Sequence, residues 1–184
     1  MARRLLLMRH AKSSWDSAVA RDFDRPLNKR GHKAGKHMGA YLHKEGLSWD
    51  VLLVSPAERT RQTVERLEAG YGETLAPLYD DRLYMASATQ LLAVLRNLDD
   101  IAQTVMLIAH NPGIQGLALS LVARGGRKET DRARIESKYP TAALTVIDFT
   151  AANWNKVAPA GGALERFVKP KDLKKAKLTH DTPA

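Results

Sequence analysis

Three short, strongly apolar runs constrain this chain most: Leu5–Met8 (LLLM), Val51–Val54 (VLLV) and Thr104–Ala109 (TVMLIA). Runs of this length are those of strands buried on both faces. Strands of that kind alternating with helical stretches belong to a mainly parallel sheet covered by helices on both sides. Ligands of such sheets collect beyond the carboxyl ends of the strands, so the residues just after each run are informative. Arg9 and His10 come after the first, Ser55 to Arg59 after the second and His110 after the third.

Between the runs the chain carries helix signals. Asn28 is placed to cap a helix reaching about Glu45, with Gly46 as its stop. Ser55, Pro56 and Glu58 occupy the N-cap, N1 and N3 positions of a capping box, opening a helix that ends near Gly70 or Gly72. Leu75–Tyr79 reads as a short strand and Thr89–Leu98 as a helix. Asn111 as cap and Pro112 at N1 open a further helix to about Ala123. The polar stretch from Ala11 to Leu27 and the charged stretch Arg124–Lys138 read as loops. Ala142–Phe149, Trp154–Ala158 and Ala163–Val168 read as strands, with the late strand pair forming an antiparallel edge.

The 184 residues suit one domain spanning 1–184, with a basic, solvated tail from about residue 169. The absence of cysteine excludes disulfides, thiolate metal sites and cysteine nucleophiles. No apolar run reaches membrane-spanning length, and the apolar stretch at the start is too short for a secretory signal; the expected location is the cytoplasm, with no membrane partner. The net charge of +9 is unevenly placed: residues 1–33 hold nine Lys/Arg against three Asp. That cluster reads as a funnel for an anionic substrate. The basic chain end lacks the aromatic residues that stack on bases, and no nucleic-acid partner is expected.

Arg9, His10, Arg59 and His110 all fall where one crevice can gather them. Arg59, in the first turn of a helix, opposes the helix macrodipole at a cost of a few tenths of a kcal/mol, roughly; holding an anion would offset that cost. Two guanidinium forks and two imidazoles suit a phosphoryl group. Positive charge and positioning supply most of the catalysis of its transfer, and a neutral imidazole is a competent nucleophile toward phosphorus. Two histidines are also possible metal ligands, but the flanking arginines repel a cation, so a metal is not expected.

Taken together, these motifs are recognisable. LLLMRHAKS, VSPAERTRQT and IAHNPG together resemble the histidine phosphatase superfamily, also called the phosphoglycerate mutase-like or branch 1 group. RHAKSSWD, DFDRPLNKRG, SPAERTRQT and HNPG look most like its SixA-type phosphohistidine phosphatases, over roughly residues 3 to 160. The resemblance implies a three-layer α/β/α sandwich that uses no metal or organic cofactor. It implies His10 as the nucleophile that becomes phosphorylated, with Arg9, Arg59 and His110 completing the phosphate pocket. Ser13, Asp16 and Asn111 fall on positions near the substrate, and Arg25 on one that shapes the site wall. The implied substrate is phosphohistidine on a protein or, alternatively, a small phosphorylated metabolite; a non-catalytic phosphate-binding module is the third reading.

One departure bears on the chemistry. Larger relatives carry a glutamate general acid in the segment that here reads DDRLYMASATQLL, with no Glu between Asp81 and Thr89. Another branch has Asp directly after the second histidine, where this chain has Asn111. An alkoxide leaving group needs a proton in the transition state, whereas a phosphoamidate leaves more easily; the missing acid favours a labile P–N bond. Asp16 is the nearest stand-in acid, although a loop Asp usually bonds nearby backbone. His32, His37 and His43 read as solvated helix residues, Trp15 as a wall or pin of the site loop, and Trp49 and Trp154 as strand-edge packing.

Overall fold

Leu5, Leu6, Leu7 and Met8 are all fully buried, and the strand they form, β1 (Arg3–Arg9), serves two cores at once. Leu5 and Leu7 pack into one apolar cluster, Leu6 and Met8 into another, as the alternation of side chains along a strand requires. The computed structural model describes residues 2–15, 21–125 and 128–173. The other strands are β2 (Val51–Val54), β3 (Pro77–Tyr79), β4 (Thr104–Ala109), β5 (Leu144–Phe149) and β6 (Gly162–Val168). They form one six-stranded sheet in the order β3-β2-β4-β1-β5-β6. The first four in that order run parallel, and β5 is antiparallel to both β1 and β6.

Helices α1 (Lys29–Lys44) and α2 (Glu58–Tyr71) bring Met38, Leu42, Val64 and Leu67 to the Leu6/Met8 face. Helices α3 (Ala88–Arg96) and α4 (Gly113–Leu121) bring Leu91, Leu95, Ile114 and Leu117 to the Leu5/Leu7 face. The arrangement is the expected α/β/α sandwich. Asn28 caps α1, its side chain accepting from the Gly31 N–H at 2.9 Å. A Cβ on Gly31 would collide with the Lys12 carbonyl, and one on Gly39 with the backbone of Leu67; the first fixes α1 against the loop after β1, the second lets α1 and α2 pack backbone to backbone.

Five expectations from the sequence do not hold. Ser55 does not cap α2: Ala57 holds the N-cap position without a side-chain bond, because the Ser55 hydroxyl is engaged by His110. Asn111 does not cap α4 either; Pro112 stands there, and the Asn111 amide donates to Gln115 Oε1 at 3.1 Å. Part of the stretch Arg124–Lys138 is a helix, α5 (Glu129–Ser137), whose buried side chains are Arg132 and Ile135, too few to print a helical period. Trp154–Ala158 is not a strand. Trp154 opens a 3-10 turn, is wholly buried and donates its indole N–H to the Ala102 carbonyl at 2.6 Å, so it plugs the core rather than an edge. The start of the expected tail is also folded: Leu173 packs on the Leu6/Met8 core, and Asp172 pairs with Arg134 at 2.6 Å. No helix among the described residues is long and apolar enough to cross a membrane.

Candidate active site

Three neighbouring strands deliver their next residues side by side. The His10 N–H donates to the Ala109 carbonyl at 3.0 Å, and the Ser55 N–H to the Ile108 carbonyl at 3.0 Å. The ladder thus continues one residue past β1, β2 and β4, and places His10, Ser55 and His110 along one sheet end. The ring centroids of His10 and His110 lie 5.1 Å apart. Both histidines and Arg59 are buried. They line a cavity of about 340 Å³ together with Arg9, Ser13, Arg25 and Asn111. Of the residues expected at the site, only Asp16 lies outside the described residues.

His10 has a defined polarity. Its Nδ1 lies 2.7 Å from the Ala11 carbonyl oxygen, which can only accept, so Nδ1 carries the proton and Nε2 keeps its lone pair. Burial pushes the His10 pKa down to about 3; the Ala11 bond opposes this, and the charges of Arg59, Arg9 and Arg25 add to it. His110 is likewise held at about 3, by burial and then by His10 and Arg59, against the opposing charge of Asp22. Both rings are therefore neutral at pH 7. His110 Nε2 shares a 2.7 Å hydrogen bond with Ser55 Oγ, while its buried Nδ1 has no partner among the described residues.

Arg9 donates to the Tyr139 carbonyl at 2.9 Å, and its pKa is lowered by burial and by Arg59. Arg59 donates to the Asp22 carbonyl oxygen at 2.6 Å and to Asp22 Oδ2 at 2.9 Å. Arg25 donates to Ser14 O, Asp22 Oδ1 and Ser13 Oγ, and stacks 3.4 Å from the Trp15 ring centroid. Trp15 is thereby a wall of the cavity as well as a surface for Arg25.

Asp22 opens the stretch DFDRPLNKRG, but nothing in the sequence singles it out as a site residue. It precedes the conspicuous Arg25 by three residues in a polar loop, and no periodicity marks it. It is the hub that orders two arginines and Tyr84, whose hydroxyl donates to Oδ2 at 2.9 Å. Burial works against its ionisation, yet the bonds from Tyr84 and Arg25 and the charge of Arg59 hold the carboxyl at about 2. Among the described residues, no group of three or more His, Asp or Glu side chains converges to hold a metal ion.

Residues 5–84 match the model of the histidine phosphatase superfamily, branch 1. A protein of Mycobacterium tuberculosis is 32% identical over 164 residues, covering 89% of this chain and all of that protein. The chain belongs to the histidine phosphatase superfamily. Within it, the chain is of SixA type. A candidate phosphohistidine phosphatase SixA from Nakamurella multipartitia superposes with a TM-score of 0.76 at 29% identity, covering 92% of this chain and 97% of the other. A second candidate SixA, from Agrobacterium tumefaciens, gives 0.74 at 27%, covering 91% and 98%. This histidine phosphatase is a hydrolase that removes phosphoryl groups.

Proposed function

We propose that the enzyme is a cytoplasmic phosphohistidine phosphatase that acts on a phosphorylated protein through a phospho-His10 intermediate. Its substrate-class assignment rests on one observation. Asp22 is the sole carboxyl among the described residues lining the pocket, and its three donors keep it ionised, so it has no proton to give a leaving group.

The chemistry needs none. A phosphohistidine whose second ring nitrogen has taken a proton from solvent departs as neutral imidazole. His10 Nε2 attacks phosphorus as that P–N bond breaks, and the new P–N bond leaves His10 as a phospho-imidazolium whose Nδ1 keeps its proton, donated to the Ala11 carbonyl oxygen. Water then attacks phosphorus, His10 departs as neutral imidazole, and orthophosphate is released. Arg9 and Arg59 neutralise charge on the equatorial oxygens, which is where it accumulates. His110, neutral, acts as a hydrogen-bonding partner, and Ser13 and Asn111 line the approach.

The similarity to candidate SixA proteins supports the reading. A small phosphorylated metabolite is the second reading, favoured by a cavity of about 340 Å³, which is of small-ligand size. The test is dephosphorylation of a phosphohistidine-bearing protein beside a panel of alkyl phosphates, with wild type and His10→Ala. His10-dependent loss of phosphohistidine with slow ester turnover is expected. Alkyl phosphates turned over as fast would replace this reading with the metabolite phosphatase, and binding without His10-dependent turnover of either would leave a phosphate-binding module.

A further inference from the structure

A second cavity, of about 350 Å³, opens beside the active site and shares Lys12 and Thr141 with it. Its cations come from four separate parts of the chain. Lys12 comes after β1, Arg30 and Lys33 lie on α1, Lys138 comes after α5, and Lys169 and Lys171 come after β6. No carboxylate lines it. Among the described residues, neither Lys12, Arg30, Lys33, Lys138 nor Lys171 has an ion-pair partner. His37, expected to be solvated, is half-buried and lines this cavity too.

Such a gathering is unfavourable in itself. Arg30 and Lys33 are three residues apart on one helix face, where like charges destabilise by a few tenths of a kcal/mol, roughly. Burial and the charges of Arg134 and Lys171 lower the pKa of Lys169, with Asp172 opposing. Elsewhere several cations of this protein are paired with carboxylates, as in Arg4–Asp148 and Arg134–Asp172; those lining this cavity are not. The set is five ammonium groups to one guanidinium. Ammonium groups act as point charges and ask for no bidentate geometry, so a cavity holding five of them suits a ligand group with several clustered negative charges, as a phosphate carries. The volume matches a small ligand rather than a flat protein surface.

The geometry points to a second anion site: the basic cavity binds a phosphate or diphosphate group of a small polyanion whose other end reaches the catalytic pocket through the shared Lys12 and Thr141. The site is independent of whether the scissile bond is P–N or P–O.

Inhibition of p-nitrophenyl phosphate hydrolysis at low salt tests this, with orthophosphate and tripolyphosphate as probes. An orthophosphate occupies one pocket at a time and competes with the substrate only in the catalytic one, whereas tripolyphosphate presents linked phosphates to both. Wild type is expected to bind tripolyphosphate about tenfold tighter or more. In Lys138→Glu/Lys171→Glu that advantage is expected to vanish, with the orthophosphate constant, kcat and KM for p-nitrophenyl phosphate unchanged within about twofold. The neutral pair Lys138→Gln/Lys171→Gln gives the same comparison if the charge-reversed pair does not fold. Equal affinities for the two probes in wild type overturn the proposal, as does an advantage that survives in both variants. It also fails if an acidic peptide, but not tripolyphosphate, loses affinity in the variants, since the cavity then serves a polypeptide partner.

Discussion

Ser55 Oγ and His110 Nε2 lie 2.7 Å apart at the ends of adjacent strands, both side chains buried. The bond gives the serine a role other than capping: α2 begins at Glu58 with Ala57 at its N-cap, and leaves Ser55 two residues upstream of that cap. The hydroxyl has one buried partner to satisfy, and a helix N-terminus whose free N–H groups can turn to water tolerates the loss of a cap more cheaply than a buried imidazole does. The serine thereby fixes the ring plane of His110 beside His10.

Ser55→Ala removes that bond and leaves both nitrogens of His110 without a partner. An unsatisfied buried polar group costs about 1–3 kcal/mol, which urea unfolding would register. We expect kcat to fall roughly tenfold with KM little changed, since an imidazole free to rotate loses transition-state positioning more than ground-state charge. A variant destabilised to that extent but with wild-type kcat would show that His110 needs no orientation.

Asp22→Asn separates two roles of the carboxylate. As an ionised hub it orders Arg59 and Arg25, so its loss is expected to lower kcat/KM by roughly three- to tenfold on every substrate, through looser arginines. As a proton donor it would matter only for poor leaving groups. Because Asp22 is held at about 2, the ratio of phosphohistidine to alkyl phosphate turnover should stay as in wild type. A selective loss of ester turnover in the variant would identify Asp22 as the acid after all.

The depressed basicity of His10 sets the acid limb of the rate profile. A histidine with an ordinary pKa of 6.5 is roughly 30-fold depleted in its neutral form at pH 5. With His10 at about 3, kcat/KM, which reports the free enzyme, is expected to show no such loss between pH 7 and pH 5 once the ionisation of the substrate is divided out. A fall with a midpoint near 6.5 that persists after this correction would place the nucleophile in a wetter, less positive site.

The legible parts of the fold share a cause. LLLM, VLLV and TVMLIA stand out because a strand buried on both faces must be apolar at every position, and the residues after them could then be placed by topology alone. That reasoning reached His10, Arg59 and His110, which lie within a few residues of strand ends. It could not reach Asp22 or Ser55's true partner. Asp22 arrives at the site on a loop, and its role depends on contacts with Arg59 and Tyr84, 37 and 62 residues away. Helix α5 was hidden for a different reason. One aliphatic residue, Ile135, is buried along it, so propensity formed the helix without any apolar period. Trp154 misled because a tryptophan and a valine, both common in strands, follow the turn-like Ala151-Ala152-Asn153, whereas the indole bond to Ala102 and the Val157 N–H to Trp154 carbonyl bond set a 3-10 turn.

The two histidines also tie stability to pH. Each has a folded-state pKa near 3 against about 6.5 in the unfolded chain. Between those values the unfolded state binds protons that the folded state excludes, so stability rises with pH across the window. The full contribution is present above pH 6.5 and is lost progressively as the pH falls toward 3. Asp22, with its carboxyl held below the usual range, acts in the same direction at the lower end, where its ion pairs are lost. Urea unfolding at fixed ionic strength is therefore expected to show midpoints that decline from pH 7 to pH 4. His110→Asn removes one of the two titrating rings, and the slope of unfolding free energy against pH in that window should become shallower by up to one proton. An unchanged slope in this variant would mean that His110 takes up its proton in the folded state as readily as in the unfolded chain. The burial and the positive charge around the site would then be weaker than the geometry indicates.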